Sequence, residues 1–361
     1  MFCLLKNVLV VVLICWGAAP LFGVPKTPTE AEPNRISVSE LLEKYAEAHN
    51  KLKSFSLEYD DEYQASSKLT FLAGREKPKL TSGGYFGEIR SDGNRHYICE
   101  RLWGRDIGGQ PRSKASAKSD PRYNADLWDG EKRFQYQHSN AGPANDKLFL
   151  ISKEHDQIKG TLVNISRIHN LWGFFDDTYN HLPYSWIGSE LRQTEAVVVQ
   201  EKMEELAGSK CYVINANTKN SKYKLWIDPN HGYNIARAEI FRGGEGLKWG
   251  KPEEVSLFTY LKDVRFERFD NVWVLVEADC GYDRKLTNDG FEKEDHHIKI
   301  TKFVLRPDHE RLGSFRTDYI KNGTTTYVIG VTGTYTWQDG KVVDENGRVI
   351  IDCRPKKPAK K

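Results

Sequence analysis

Over much of this chain apolar and polar residues alternate one by one, the two-residue period of a half-buried β-strand. In SKYKLWIDPNHGYNIARAEIF, residues 221–241, Tyr223, Leu225 and Ile227 alternate with Lys222, Lys224 and Trp226. The run breaks at 228–232, and Ala236, Ala238 and Ile240 then alternate with Arg237 and Glu239. The spacing predicts a hairpin with Tyr223, Leu225, Ile227, Ala236, Ala238 and Ile240 on its inward face. Phe55, Leu57 and Tyr59 alternate with Ser56, Glu58 and Asp60, and strand-like runs recur at 255–257, 264–266, 272–276 and 297–305. Asp-Gly pairs at 92–93, 129–130 and 339–340 each lie between such runs, a strong short-range hairpin signal. The order suits an antiparallel meander rather than parallel strands with intervening helices. VWVLV, 272–276, is apolar on both faces, so this strand is expected to have a core on one side and helices on the other.

Four stretches depart from the alternation. Ser37 and Glu40 form a capping-box pattern, and Val38, Leu41, Leu42, Tyr45, His49 and Leu52 follow helical spacing, predicting a helix over 37–52 with His49 packed or half-exposed on it. Residues 104–124, rich in Gly, Ser, Pro and basic residues, are expected to form a flexible loop or flap. Residues 165–191 concentrate Trp172, Phe174, Phe175, Tyr179 and Trp186, which reads either as a helical cap packed on the sheet or as a plug or lid over an apolar cavity. The first residues carry Lys6 and an apolar run over 8–22, the length of a signal-peptide core and short for a membrane span. A signal peptide over 1–23 makes the protein exported and periplasmic; an uncleaved segment would be an N-terminal membrane anchor. The main domain is expected over 36–310, with a C-terminal β-hairpin extension over 311–353 and a basic tail over 354–361.

A formal net charge of +3 is too even for a nucleic-acid grip, and no nucleic-acid partner is expected. Aromatics at 12% with only 2 Met reinforce the all-β reading. Once the leader is removed, Cys99, Cys211, Cys280 and Cys353 remain, spaced too widely for a zinc ribbon and read as buried thiols or one disulfide. There is no phosphate-cradling Gly loop, nucleophile elbow or His-Glu-x-x-His helix. Glu292, Glu294, Asp295, His296 and His297 could in principle meet a metal, but they read as a solvated hairpin end, the two histidines pointing to opposite faces. Asp60, Asp61 and Glu62 read as exposed strand-end charges, and His169, His181 and His231 as structural or exposed. No catalytic residue, metal or cofactor is expected, and the chain is not read as an enzyme.

The order of elements carries a resemblance. A signal peptide leads into a helix ending AHNKLKSFSLEY, a RSDGNRHYI hairpin follows, and then comes VVVQEKMEELAGSKCYVINANTKNSKYKLWIDPNHGYNIARAEIF. In this block one strand pair turns at a Gly before CYVI and the next turns at a WIDPxxGY corner. The chain resembles a diverged member of the LolA-like superfamily of periplasmic lipoprotein carriers and sensor domains, in the style of exported planctomycete-type proteins. The resemblance implies a mainly β fold with some helix: a curved antiparallel sheet, an incomplete barrel, wrapped around short helices, with an apolar concavity for lipid or lipoprotein acyl chains. Leu57, Tyr59, Tyr212, Ile214, Tyr223, Leu225, Ile227 and Ile240 are the expected cavity wall, with Trp172 and Phe175 facing them from the lid. The carriers are about half this length, and no position here is matched to their functional arginine. Two rival expectations stand beside lipid binding. One is a sensor or scaffold with a plugged cavity that binds another exported or membrane protein; the other is an extracytoplasmic polysaccharide hydrolase.

Overall fold

The computed structural model describes residues 36–68, 79–104, 113–152, 187–192, 194, 196–218, 221–243, 255–286 and 290–354. The leader, the tail beyond 354 and most of the aromatic stretch, including Trp172 and Phe175, lie outside the described residues. Among the described residues no helix is long and apolar enough to cross a membrane.

Helix α1 (Val38–Asn50) starts where Ser37 accepts a hydrogen bond from the Glu40 amide at 3.1 Å. This satisfies one of the four amides that a helix start leaves without an internal partner. Its buried stripe is Leu41, Leu42, Tyr45 and Ala48. Burial, and secondarily the charge of Lys53, depresses the His49 pKa to about 4.

Eighteen strands are present among the described residues. In chain order they are β1 (Ser54–Lys68), β2 (Lys79–Asp92), β3 (His96–Trp103), β4 (Tyr123–Trp128), β5 (Lys132–His138), β6 (Lys147–Ser152), β7 (Val197–Val199), β8 (Glu204–Leu206) and β9 (Ser209–Asn217). There follow β10 (Ser221–Asp228), β11 (Asn234–Gly243), β12 (Ser256–Phe269), β13 (Val272–Lys285), β14 (Phe291–Leu305), β15 (Thr325–Val328), β16 (Tyr335–Gln338), β17 (Lys341–Val343) and β18 (Val349–Asp352). A five-residue helix, α2 (Lys114–Lys118), lies between β3 and β4, so the described part of the expected flap has defined structure; α3 (Ile187–Arg192) precedes β7.

Strand pairing runs β9-β10-β11-β12-β13-β14 and continues through β1-β2-β3-β4-β5-β6. β1 is therefore inserted between β14 and β2, joining the two ends of the meander. β15 then pairs with β6 in parallel and β16 to β18 complete the order, while β7 and β8 flank β9. The result is a large, open, curved sheet with few helices.

The three Asp-Gly pairs all turn hairpins. Gly93 and Gly130 have φ of +90° and +99°, and Asp339 and Gly340 both adopt positive φ between the paired residues Gln338 and Lys341. These are conformations that glycine reaches without a side-chain penalty. At the 228–232 corner Asp228 accepts from Ser209 Oγ at 2.8 Å and from the Asn230 amide at 2.9 Å, and it pairs with His231 at 2.6 Å.

Two cores form on opposite faces. The larger joins α1 and α3, through Leu41, Leu42, Tyr45, Ile187 and Leu191, to the inner face of the sheet. The smaller packs Leu127, Phe134, Tyr136, Leu148 and Leu150 of β4 to β6 against Ile320, Trp337 and Val342 from the C-terminal strands. Buried Asp146 pins this second core, accepting from Tyr136 Oη at 2.7 Å, Ser139 N at 2.8 Å and Ser139 Oγ at 3.0 Å, with His138 Nδ1 at 2.9 Å. Burial pushes its pKa upward, but these bonds outweigh it and hold the carboxyl below its ordinary value.

Three expectations are corrected. A β-bulge between Trp226 and Ile227 puts Ile235, not Ala236, opposite Ile227, so Ala236 turns outward to pack with Trp226, Cys211 and Val213. Among the described residues the outer side of VWVLV is covered by the 228–232 corner rather than by a helix: His231 meets Trp273 edge-on at 4.7 Å and stacks on Phe266 at 4.8 Å. Asp61 is not an exposed strand-end charge; it is buried in the middle of β1. Among the described residues Cys99, Cys211 and Cys353 are free thiols, and Cys211, Cys280 and Cys353 are buried; burial raises the thiols of Cys211 and Cys353 to about 12.

Candidate functional site

The inner face of the sheet is the site to which the sequence points, and strand parity builds it. Of the expected wall residues, Leu57, Tyr59, Ile214, Tyr223, Leu225, Ile227 and Ile240 fall into one continuous cluster, each between 0 and 5% exposed, with Tyr212 partly buried against it. Ala238, Leu261, Val274, Val276, Ala278, Ile298 and Ile300 extend the same surface, while Leu41, Leu42 and Tyr45 of α1 lie on it with Ile187 and Leu191 of α3. In the described residues the floor is filled by these two helices.

The floor is graded along the strands. One rung of paired residues reads Ile214, Leu225, Ala238, Leu261, Cys280, His296 and Tyr63, apolar except at β14 and β1. Two residues further along, Ala216, Tyr223, Ile240, Thr259, Tyr282, Glu294 and Ala65 form the next rung. The third reads Ser221, Arg242, Leu257, Arg284, Glu292 and Ser67. Two arginines thus flank Leu257 at the end of an apolar face, their backbone positions about 10 Å apart by strand spacing. Arg242 is 5% and Arg284 8% exposed. Arg242 Nε donates to Ser221 Oγ at 3.2 Å, and Arg284 Nη1 meets Glu292 at 2.7 Å. Burial lowers the Arg284 pKa despite Glu292 and Glu294.

The acids expected at a solvated hairpin end are divided by parity. His297 faces outward and meets Asp279 at 2.8 Å. His296 is buried, with Asp61 at 2.8 Å from Nδ1 and Glu294 at 3.3 Å from Nε2, and Tyr282 Oη donates to Glu294 at 3.0 Å. With both ring nitrogens facing carboxylates, neither is presented as a general base to a substrate. Among the described residues no group of three His, Cys, Asp or Glu side chains is arranged to hold a metal ion. Asp60 and Glu62 point to the outer face, where Lys114 of α2 meets both.

Glycines in the strands make room for rings. Tyr59 lies over Gly87, where an added Cβ would overlap its ring, and its hydroxyl donates to Glu100 on the next strand. On the outer face Tyr260 lies over Gly281 in the same way and donates to Asp295. The sequence reading missed Arg242, Arg284, Glu100 and both Tyr-Gly pairs. Arg242 was within reach by parity, because it stands two residues after the inward Ile240; the others depend on which strand lies alongside.

Taken together, the inner face offers a long apolar surface ending in two buried cations and a line of acids. That arrangement can hold an extended apolar chain and fix a polar head; among the described residues no nucleophile–base pair is evident on it.

No family model matches the chain, and no curated protein matches it. Among solved structures it is similar to a DUF1329 family protein from Desulfovibrio piger, at 12% identity and a TM-score of 0.38, over 79% of this chain and 99% of that one. It is also similar to the YwiB protein from Bacillus subtilis, at 6% identity and a TM-score of 0.16, over 68% and 94% of the two chains. PNGF-II matches at 8% identity and a TM-score of 0.19, over 75% of this chain and 31% of that one. Similarities this low carry no argument about function.

Proposed function

We propose that this protein is a non-catalytic, exported, LolA-like binding protein that takes lipid or lipoprotein acyl chains against the inner face of its sheet. One observation carries the reading: the apolar floor ends in a rung where Arg242 and Arg284 are both buried beside Leu257. Burying a cation costs several kcal/mol unless an anion or hydrogen bonding compensates; here Ser221 Oγ accepts from Arg242 and Glu292 pairs with Arg284, and an acidic head at the same margin would share those guanidinium donors. An acyl chain with an acidic head matches both parts of the surface. In this account α1 and α3 occupy the floor as stand-ins for the chain, which enters by displacing them.

The test is titration with a fluorescent long-chain fatty acid beside the corresponding fatty alcohol. The acid binds at micromolar concentrations, and Arg242→Gln weakens it about 10-fold while leaving the alcohol nearly unchanged, since a charge-assisted hydrogen bond contributes about 1.5–3 kcal/mol. Absence of binding by either probe at tens of micromolar protein refutes the reading.

A second reading draws on the filling of the floor, whose sequence-expected wall residues are at most 5% exposed apart from Tyr212. A sensor or scaffold with a permanently plugged interior, docking another exported protein, also accounts for that packing. It predicts no acyl uptake even after the plug is loosened by Leu41→Ala.

A further inference from the structure

The outer face carries a feature that this reading does not use. Eight large apolar side chains are exposed among the described residues, and three of them share a single rung. That rung reads Lys222, Phe241, Phe258, Asp283, Lys293, Ser66 and Leu80 from β10 to β2. Phe241 is 44%, Phe258 37% and Leu80 74% exposed. The next outward rung, at the strand ends, reads Gly243, Ser256, Lys285, Phe291 and Lys68. Four lysines therefore accompany four apolar side chains on these two rungs, against one acid, Asp283.

Elsewhere on the outer face, charges are matched within or across strands. Arg265 meets Glu267 and Glu277, Lys302 bonds Glu58, and Lys224 pairs with Glu204. At the rim Lys293 reaches Asp295 at 3.1 Å one rung inward, yet among the described residues these two rungs still combine excess positive charge with exposed rings, and they lie at the same strand ends as Arg242 and Arg284 on the inner face. Exposed apolar groups on a soluble surface are normally scattered singly; a grouped set marks a contact surface. Of the possible occupants, an anionic bilayer fits both halves of the pattern, because Phe and Leu enter the headgroup boundary while Lys meets lipid phosphate. An acidic protein would satisfy the lysines but has no special use for a rim confined to the strand ends.

We infer that this rim docks the protein, strand ends first, on an anionic membrane surface. The inference goes beyond the acyl-binding reading and can fail separately from it.

The test uses the chain from Ile36 onward, which forms one compact unit. It is sedimented with vesicles of neutral phosphatidylcholine, or of phosphatidylcholine with one-third phosphatidylglycerol. Binding is expected to the anionic vesicles and to weaken with added salt. Lys222→Gln with Lys293→Gln should lower the affinity about 30-fold, at about 1 kcal/mol per basic residue near the surface. Lys299→Gln with Lys302→Gln removes the same charge from the far part of β14 and should change it little. Phe241→Ser with Phe258→Ser should weaken binding about 10-fold or more and keep the salt dependence. Equal binding to neutral vesicles, no binding to either kind, or equal losses in the two lysine pairs would each overturn the inference. Fatty-acid affinity of the Lys222 and Lys293 variant should be unchanged, and its loss would place those lysines in the acyl site instead.

Discussion

At Tyr59 and Tyr260, each ring lies flat across a neighbouring strand because glycine, at 87 or 281, leaves the space, and each hydroxyl ends on a carboxylate. A side chain at either glycine must displace the ring and break that bond. Gly87→Ala is therefore expected to cost about 2–4 kcal/mol, combining overpacking with a lost charge-assisted hydrogen bond. Urea unfolding would measure it, and Gly142→Ala, where an added Cβ meets nothing within 4 Å, is the comparison for backbone strain without crowding. The sequence does not reveal such pairs, since Gly87 matters only through a strand whose partner residue is 28 positions away. Asp61 and His296 are harder still: each looks like a polar residue among polar residues until β1 and β14 are placed side by side.

Among the elements, α1 has a dual character. Its cap and stripe make it legible as a helix from sequence alone, and its position on the sheet makes it the main described cover of the floor. Leu41→Ala removes a fully buried side chain and should cost about 2–4 kcal/mol in thermal or urea unfolding; in the proposed account it also speeds acyl uptake. His49 adds a pH dependence. Its proton is held less tightly in the folded helix, with a pKa of about 4, than in an ordinary histidine at 6.5. The unfolded chain therefore binds more protons between those values, so stability falls as pH drops from 6.5 towards 4 and this contribution levels off below. Urea melts at pH 7 and pH 4.5 should show a loss on the order of 2 kcal/mol in the native protein that His49→Gln lacks. Strands and hairpins were equally legible, through alternation and the Asp-Gly turns. The bulge beside Trp226 was not, because nothing in the alternation shows where one strand gains a residue over its partner.

For the whole molecule, the sequence conveys a meander but not its joining. Insertion of β1 between β14 and β2 is a pairing across more than 200 residues, and the parallel β6–β15 contact adds the C-terminal strands to the same sheet. The first of those contacts brings Asp61 and Tyr63 of β1 to the inner face beside His296 of β14, so that polar cluster could not be assembled before the strand order was known. The C-terminal joint is testable: Asp146→Ala leaves Tyr136 and His138 without their shared acceptor and should cost about 3 kcal/mol, read by a lower unfolding midpoint.

The decisive measurement is amide hydrogen exchange of the protein with and without saturating long-chain fatty acid. If the chain replaces α1 on the sheet, amides of Val38–Asn50 lose protection while those of β10, β11 and β13 keep or gain it. A fatty acid that binds with α1 protection unchanged, or that leaves every amide as it was, would contradict the idea that the helix and the acyl chain compete for one surface.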